Sequence, residues 1–469
     1  MGTLLVRNAR VLVTMDDQRR EIEGGGLFAE DGFITQVGAS NQLPHTADEV
    51  VDLAGHVVLP GLVNTHHHFY QSLFRNLPAG QNTCVFVWLK AHYRIWARVT
   101  PEAMHTSSLI ALAELALSGC TTAFDHSYVY PKGGSLDEQV EAAGTMGLRF
   151  HVTRGGMSLG ESKGGLPPDD CVENEDDILA DTQRVIDKYH DASRGSMLRI
   201  AVGPCSPFSV TADYMKEAEK LARKAGVGLH THLCESFDEE QFTLETFKML
   251  PVEYMESLNW LGPDVSFAHC VHVYDNQIEK MAKTKSGVAH CPSSNMRLAS
   301  GIAPVRKYFD SGVPVSIAVD GCGSNDGGHM LNEVRTAMLL ARVKMGLRPP
   351  EGPETILFPS SPLRSKEWLT AREALEIATR GGAEVLNRDD IGSLEPGKCA
   401  DFISIDMNRL EYAGGLHDPV AAILFCAPVQ VDNTVVNGRF IVRNRNLTPV
   451  ELTPLIEKQN RIASELASA

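Results

Sequence analysis

At 469 residues, 43% of them apolar, the chain can bury one large core and a smaller companion. Its 43 Lys and Arg against 59 Asp and Glu leave a formal charge of −16, which repels a phosphate backbone and excludes nucleic acid as an expected partner. No apolar run approaches the roughly 20 residues that span a bilayer, the start "MGTLLVRNARVLVTMDD" lacks the shape of a leader, and ten scattered cysteines without a C-x-x-C pair fit reduced thiols, so the expected location is the cytosol, without membrane contact or disulfides.

Residues 1–58 carry three β-rich runs, "TLLVRNARVLVTM", "GGLFAEDGFITQVG" and "EVVDLAGHVVLP", between Gly and Asp turns, the spacing of a small antiparallel sheet. From residue 59 short apolar runs alternate with stretches of helical period. The runs are "GLVNTHHH", "CTTAFDHS", "LRFHVTRG", "LRIAVGPCSP", "VGLHTHLCE", "VSFAHC", "GVAHCPSSN" and "PVSIAVDG". Stretches such as "PEAMHTSSLIALAELALSG" and "TADYMKEAEKLARKAG" lie between them. An α/β architecture, a (β/α)₈ barrel over residues 59–390, uses every run. The Pro-rich stretch at residues 346–368 follows the eighth strand as a long loop, a lid or a subunit contact. Residues 391–446 return to β texture in "KCADFISIDM" and "NTVVNGRFIVRN", where Asn437-Gly438 predicts a type I′ hairpin. A helical tail, 447–469, follows. Both chain ends are expected to build one small β-sandwich beside the barrel.

Catalytic side chains of such a barrel come from the C-terminal ends of its strands. Side chains alternate along a strand, so His66 and His68 face one way and His67 the other, toward the helical layer or a loop. The same parity puts His230 and His232 on one face of the fifth run, with Glu235 three residues on, where the strand turns into loop. His269 closes the sixth run and Asp320 the eighth. His66, His68 and His232 with Asp320 make a donor set for one divalent metal, zinc most readily and iron as the second choice. Coordination lowers the pKa of a bound water from about 15.7 to about 7. Glu235 is the candidate proton shuttle, and His269 is placed to hydrogen-bond the water or the reacting group. A lone histidine is ordinarily a satisfied core or surface residue; recurrence at the ends of several strands is what points to a metal. His230 is read as a second-layer residue inside the barrel. Three residues keep two readings each: His126 as substrate contact or packing, Arg154 as carbonyl or anion contact or ion-pair member, and Trp88 as stacking wall or helix core.

Absences narrow the chemistry. The fourth run, "LRIAVGPCSP", lacks the lysine that bridges paired metals, which leaves one ion. Neither a phosphate-binding G-x-x-x-x-G-K-[ST] nor a dinucleotide G-x-G-x-x-G is present. The P-C-x-x-C of the small zinc deaminases is missing as well.

The strings "PGLVNTHHH", "HTHLCE", "AHC" and "VDG" resemble the amidohydrolase superfamily, in its branch of single-metal deaminases with a split β-sandwich. "HHHFYQSL", "GCTTAFDHSYVYP", "GPCSPFSV", "CPSSNMRLASGIAPVR" and "LNRDDIGSLEPGKCADF" resemble its subgroup of 8-oxoguanine deaminases and s-triazine aminohydrolases. The resemblance implies His66, His68, His232 and Asp320 as metal ligands, Glu235 as shuttle, His269 as the residue that polarises the water, and Gln71 as a neighbour of the substrate. It also implies a homo-oligomer acting on a small heterocycle. The expected reaction is hydrolytic loss of an exocyclic amine, from 8-oxoguanine to give urate and ammonia, with an s-triazine as the alternative. A non-catalytic barrel scaffold is the reading from another class; such chains lose ligands, and this one keeps the set.

Overall fold

The computed structural model describes residues 2–347 and 368–468. The Pro-rich stretch read as a lid or subunit contact falls almost wholly outside the described residues.

The first β-rich run forms β1 (Thr3–Val13). The second breaks at Asp31-Gly32, both at positive φ (48° and 89°), into the hairpin strands β2 (Glu21–Glu30) and β3 (Phe33–Ala39). The third breaks at Gly55 (φ 87°) into β4 (Glu49–Asp52) and β5 (His56–Pro60). These join β14 (Phe402–Asp406), β15 (Asn433–Val436), β16 (Arg439–Arg443) and β17 (Asn446–Leu447) in one sheet, ordered β17-β16-β15-β14-β5-β1-β2-β3 with β4 also on β1. The turn between β15 and β16 is Asn437-Gly438, with φ of 47° and 74°, the left-handed pair a type I′ turn needs. The sheet is mixed where an antiparallel one was expected: β1 runs parallel to β4 and β5. β3 already runs the same way as β1, and after residues 40–48 the chain enters β4 in that direction again, along the open side of β1.

The barrel strands are β6 (Leu62–Asn64), β7 (Cys120–Ser127), β8 (Arg149–Gly156), β9 (Leu198–Pro204), β10 (Gly228–Leu233), β11 (Val265–His269), β12 (Gly287–His290) and β13 (Val315–Ile317). Each is parallel to the next along the sheet. Between β13 and β6 no ladder forms; the Val319 N–H donates to Asn64 Oδ1 (3.0 Å) and the Asp320 N–H to the His66 carbonyl (3.2 Å). Hydrogen bonds beyond the strand ends thus draw the first and last strands together.

Helix Ala212–Ala225 shows how the sequence sets the outer layer. Thr211 Oγ1 accepts the Tyr214 N–H (3.1 Å) as N-cap, and Gly226 ends the helix at φ 68°. Tyr214, Met215, Ala218 and Ala222 recur on one face and are buried, worth about 1.5–3 kcal/mol for a side chain the size of Met215. Helix Pro101–Leu117 is apolar on nearly all sides, because it lies between the barrel, the mixed sheet and the C-terminal helix Leu452–Ser468.

A buried ion pair ties barrel to sheet. Arg149, at the start of β8, donates to Asp401 through Nη2 (3.0 and 3.2 Å) and Nε (3.2 Å), and its other donors reach the carbonyls of Gly195 and Ser196 and Asn437 Oδ1. Both partners are buried. Asp401→Ala strands the guanidinium without its carboxylate and is expected to cost about 3–5 kcal/mol, read from the denaturant midpoint. A loss under about 1 kcal/mol would show that the guanidinium finds water or another acceptor.

Candidate metal centre

β6 ends at Asn64, so His66 and His68 project from extended backbone beyond the ladder. Both Nε2 atoms approach one carboxylate oxygen, Asp320 Oδ1, at 3.4 and 3.3 Å, and His68 Nε2 lies 3.2 Å from His232 Nε2. Donors about 2.0–2.1 Å from a tetrahedral ion lie about 3.3–3.4 Å from one another, so these spacings suit a divalent metal. The other ring nitrogens are already engaged. His68 Nδ1 is 2.7 Å from the His126 carbonyl, and His232 Nδ1 is 2.6 Å from the Cys205 carbonyl. His66 Nδ1 meets His230 Nε2 at 2.8 Å, and His230 Nδ1 meets Ser266 Oγ at 2.7 Å. Carbonyls accept only, so the Nδ1 atoms of His68 and His232 carry the protons and their Nε2 lone pairs face the centre. His66 Nε2 is buried without a hydrogen-bond partner, which fits a metal ligand. Burial lowers the pKa of His66 and His232 well below the ordinary imidazole range, which favours the neutral form that ligation requires.

Two sets of groups, His66, His68, His126, His232 and His66, His269, Cys291, Asp320, each have donor atoms within 4.8 Å of one another. The contact between His68 and Asp320 joins them. Burial pushes the Cys291 thiol well above its usual pKa, which disfavours the thiolate form.

Asp320 and His269 both sit at positive φ (61° and 71°), a conformation that costs non-glycine residues and is held by the surrounding structure. Asp320 accepts the Gly321 N–H at Oδ1 (2.6 Å) and the Ser324 hydroxyl at Oδ2 (3.0 Å). Burial would raise its carboxyl, but the His66 and His68 imidazoles against it outweigh burial and hold it well below the carboxylate range. His269 Nδ1 is 2.9 Å from Asn295 Oδ1, leaving Nε2 toward Glu235 Oε2 (3.8 Å) and Asp320 Oδ2 (3.9 Å). Burial raises the Glu235 carboxyl above its ordinary range, against the opposing pull of His269.

A narrow pocket opens over this cluster. Its walls include Gln71, Trp88, Tyr93, Phe208 and Leu298, with His68, His232, Glu235, His269 and Asp320 at the bottom. Gln71 lies on a 3₁₀ turn, Phe69–Phe74, and neither amide atom makes a hydrogen bond, although the Tyr70 hydroxyl is close. Trp88, on helix Val85–Trp96, donates from Nε1 to the Gly323 carbonyl (3.1 Å) and presents its ring to the pocket.

For two of the residues with two readings, the structure favours the one away from the substrate. Arg154 bonds to Glu173 (2.7 Å) and Asp181 (2.6 Å), and its guanidinium covers the Tyr130 ring, so its charge is spent away from the pocket. His126 lies beneath the ligand imidazoles with Nε2 3.0 Å from the Gly203 carbonyl and does not line the pocket. His67 turns into the core, accepting the His68 N–H at Nδ1 and set edge-on to Phe69. Sequence reasoning missed Asp125, which accepts the Phe69 N–H (2.7 Å) just past His68, and also Asn295 and Ser324. Each is a polar residue inside or next to a motif already noticed, and only the folded chain brings it to its partner.

Eight parallel strands with histidines and an aspartate gathered at their C-terminal ends define a metal-dependent hydrolase barrel. A match to the amidohydrolase family covers residues 57–441, and the chain belongs to that family. It is 43% identical over 445 residues to 8-oxoguanine deaminase of Pseudomonas aeruginosa, covering 94% of this chain and 95% of the relative. It is 36% identical to hydroxydechloroatrazine ethylaminohydrolase of Pseudomonas sp. strain ADP, over 95% and 92% of the two chains. Among solved structures it resembles the atrazine chlorohydrolase of Arthrobacter aurescens TC1 complexed with zinc, with a TM-score of 0.89, 30% identity and coverage of 98% and 100%. The protein is accordingly a hydrolase of C–N bonds, and the scaffold reading has no support. No described helix is long and apolar enough to cross a membrane.

Proposed function

We propose that this chain is a zinc-dependent deaminase of an oxo-substituted heterocycle, 8-oxoguanine before others, releasing ammonia and urate. The observation that carries the reading is the convergence of three imidazole Nε2 atoms and Asp320 beside Glu235, whose side chain is 12% exposed and faces the same pocket. His66, His68, His232 and Asp320 hold the ion, which when bound supplies Lewis-acid charge and an acidified water. Glu235 takes a proton from the attacking water and returns it to the ring nitrogen. The remaining proton, on the new hydroxyl, passes by way of Asp320 and His269 to the exocyclic amine, which leaves as ammonia while the hydroxyl oxygen becomes the ring carbonyl. His269, its Nδ1 held by Asn295, turns Nε2 toward the water and the new oxygen. Trp88 forms one wall of the slot for a flat ring.

The ring's identity is supported by the 43% relative and by Gln71. A buried amide with both its donor and its acceptor unpartnered matches a cyclic lactam, whose C=O and N–H lie side by side. 8-Oxoguanine offers that edge; 5′-deoxyadenosine, the substrate named for archaeal relatives at 32% identity, does not. Hydroxylated s-triazines can also present it, and the 36% relative keeps them as a second reading. Release of ammonia from 8-oxoguanine, guanine and 5′-deoxyadenosine, and of ethylamine from N-ethylated hydroxytriazines, decides between them. The expected result is a kcat/KM at least about 100-fold higher for 8-oxoguanine than for any triazine; the reverse order would overturn the substrate assignment.

Gly321 gives a finer check. A Cβ there would fall 2.0 Å from Gln71 Oε1, so Gly321→Ala must push the amide aside. KM is expected to rise about tenfold, the loss of about 1.4 kcal/mol of ring recognition, with the ion retained. A KM within twofold of the parent would separate Gln71 from the ring.

A further inference from the structure

Glu235 makes no hydrogen bond through its carboxylate to the described residues, and His269 Nε2 stands 3.8 Å from its Oε2. Its position therefore has to come from the backbone that carries it. That backbone is unusual. Cys234, between β10 and Glu235, is in the left-handed region at φ 55°. Its carbonyl accepts the N–H groups of Val271 (2.9 Å) and His272 (3.0 Å). On the other side stands Glu239, in the first turn of helix Phe237–Phe247: Oε1 accepts the Cys234 N–H (2.9 Å) and Oε2 the Glu235 N–H (3.0 Å). Glu239 is buried and is not part of the pocket wall.

We propose that Glu239 is a positioning residue for the proton shuttle, its two carboxylate oxygens clamping the consecutive peptide N–H groups of Cys234 and Glu235. A carboxylate can accept at both oxygens at once, and charge-assisted bonds to peptide N–H groups are roughly twice as strong as neutral ones. The strained Cys234 linkage would otherwise relax and swing the Glu235 side chain. Glu239 is the third residue of the helix that follows the extended Ser236, so its side chain in the first turn reaches back to the two amides that precede the helix. Burying a carboxylate there works against its charged form and raises Glu239 to about 7. A buried acid kept at that cost fits a demand for two acceptors.

The inference rests on Glu235 being the shuttle, and the test separates the two. Glu239→Gln turns one acceptor into an N–H donor facing a peptide N–H. Expected is a fall in kcat of about 10- to 100-fold with KM within threefold and one metal per chain, since a misplacement on the order of 1 Å can cost 10²-fold. In a Glu235→Gln background the same change should cost nothing further, because Glu239 acts only through Glu235. If Glu235→Gln itself keeps full turnover, the shuttle assignment fails. If Glu235→Gln is crippled while Glu239→Gln stays within twofold of the parent, or if the two losses simply multiply, the positioning role is overturned. Glu239→Asp, which keeps the charge but shortens its reach, is the second variant: the same kcat-selective loss supports the clamp and unchanged kcat refutes it. Failure of both variants to fold would assign Glu239 to stability and also overturn the proposal.

Discussion

Glu235→Gln is expected to keep its metal and its fold and to lose turnover by about 10²–10⁴-fold, the range for removal of a positioned acid/base. Glutamine fills the same volume and can still hydrogen-bond, but it cannot take a proton from water. The change belongs in kcat, with KM little altered, because the ring is held by other side chains. The pH dependence carries a sign. The shuttle must be ionised to accept the first proton, and burial raises its carboxyl above the ordinary range. Activity should therefore fall as pH drops through that raised value, and this acidic limb should vanish from the residual activity of Glu235→Gln. Retention of more than about a tenth of the parent's kcat would remove Glu235 from the chemistry.

Removal of the ion is expected to have the next largest effect. Dialysis against a chelator should abolish ammonia release, and stoichiometric zinc should restore it. The thermal midpoint should fall in the same step. An ion that binds only the folded chain contributes RT ln(1 + [L]/Kd), about 4.1 kcal/mol at a thousand times Kd. His232→Ala should lose both the stoichiometric metal and the stabilisation. Full activity in a preparation free of metal would contradict the assigned chemistry, and two metals per chain would contradict the single-ion reading.

The eight barrel strands were legible because alternation of short apolar runs with helical period is a local property, and the H-x-H of the first strand because parity survives in the extended backbone past Asn64. The mixed sheet was not, since the direction of β4 depends on a loop whose path leaves no periodic trace. Arg154 and His126 show where strand-end reasoning stops. Ending a barrel strand does not decide whether a side chain reaches the pocket; Arg154 is claimed by Glu173 and Asp181, far along the chain, and His126 by a carbonyl on β9. Asn295 and Asp125 were invisible for the same reason, as each acts on a residue that sequence spacing does not link to it.

The mixed sheet has a consequence for how the molecule is made. β5 pairs with β14 from His56 opposite Asp406 to Pro60 opposite Phe402, so the middle of the sheet joins segments separated by nearly the whole barrel. During synthesis, the β1–β5 half emerges first and waits with a bare edge until the last strands leave the ribosome. Contacts that distant form slowly, and an open edge invites pairing with other nascent chains. Chains stopped before residue 402 should accordingly aggregate rather than accumulate as a soluble barrel.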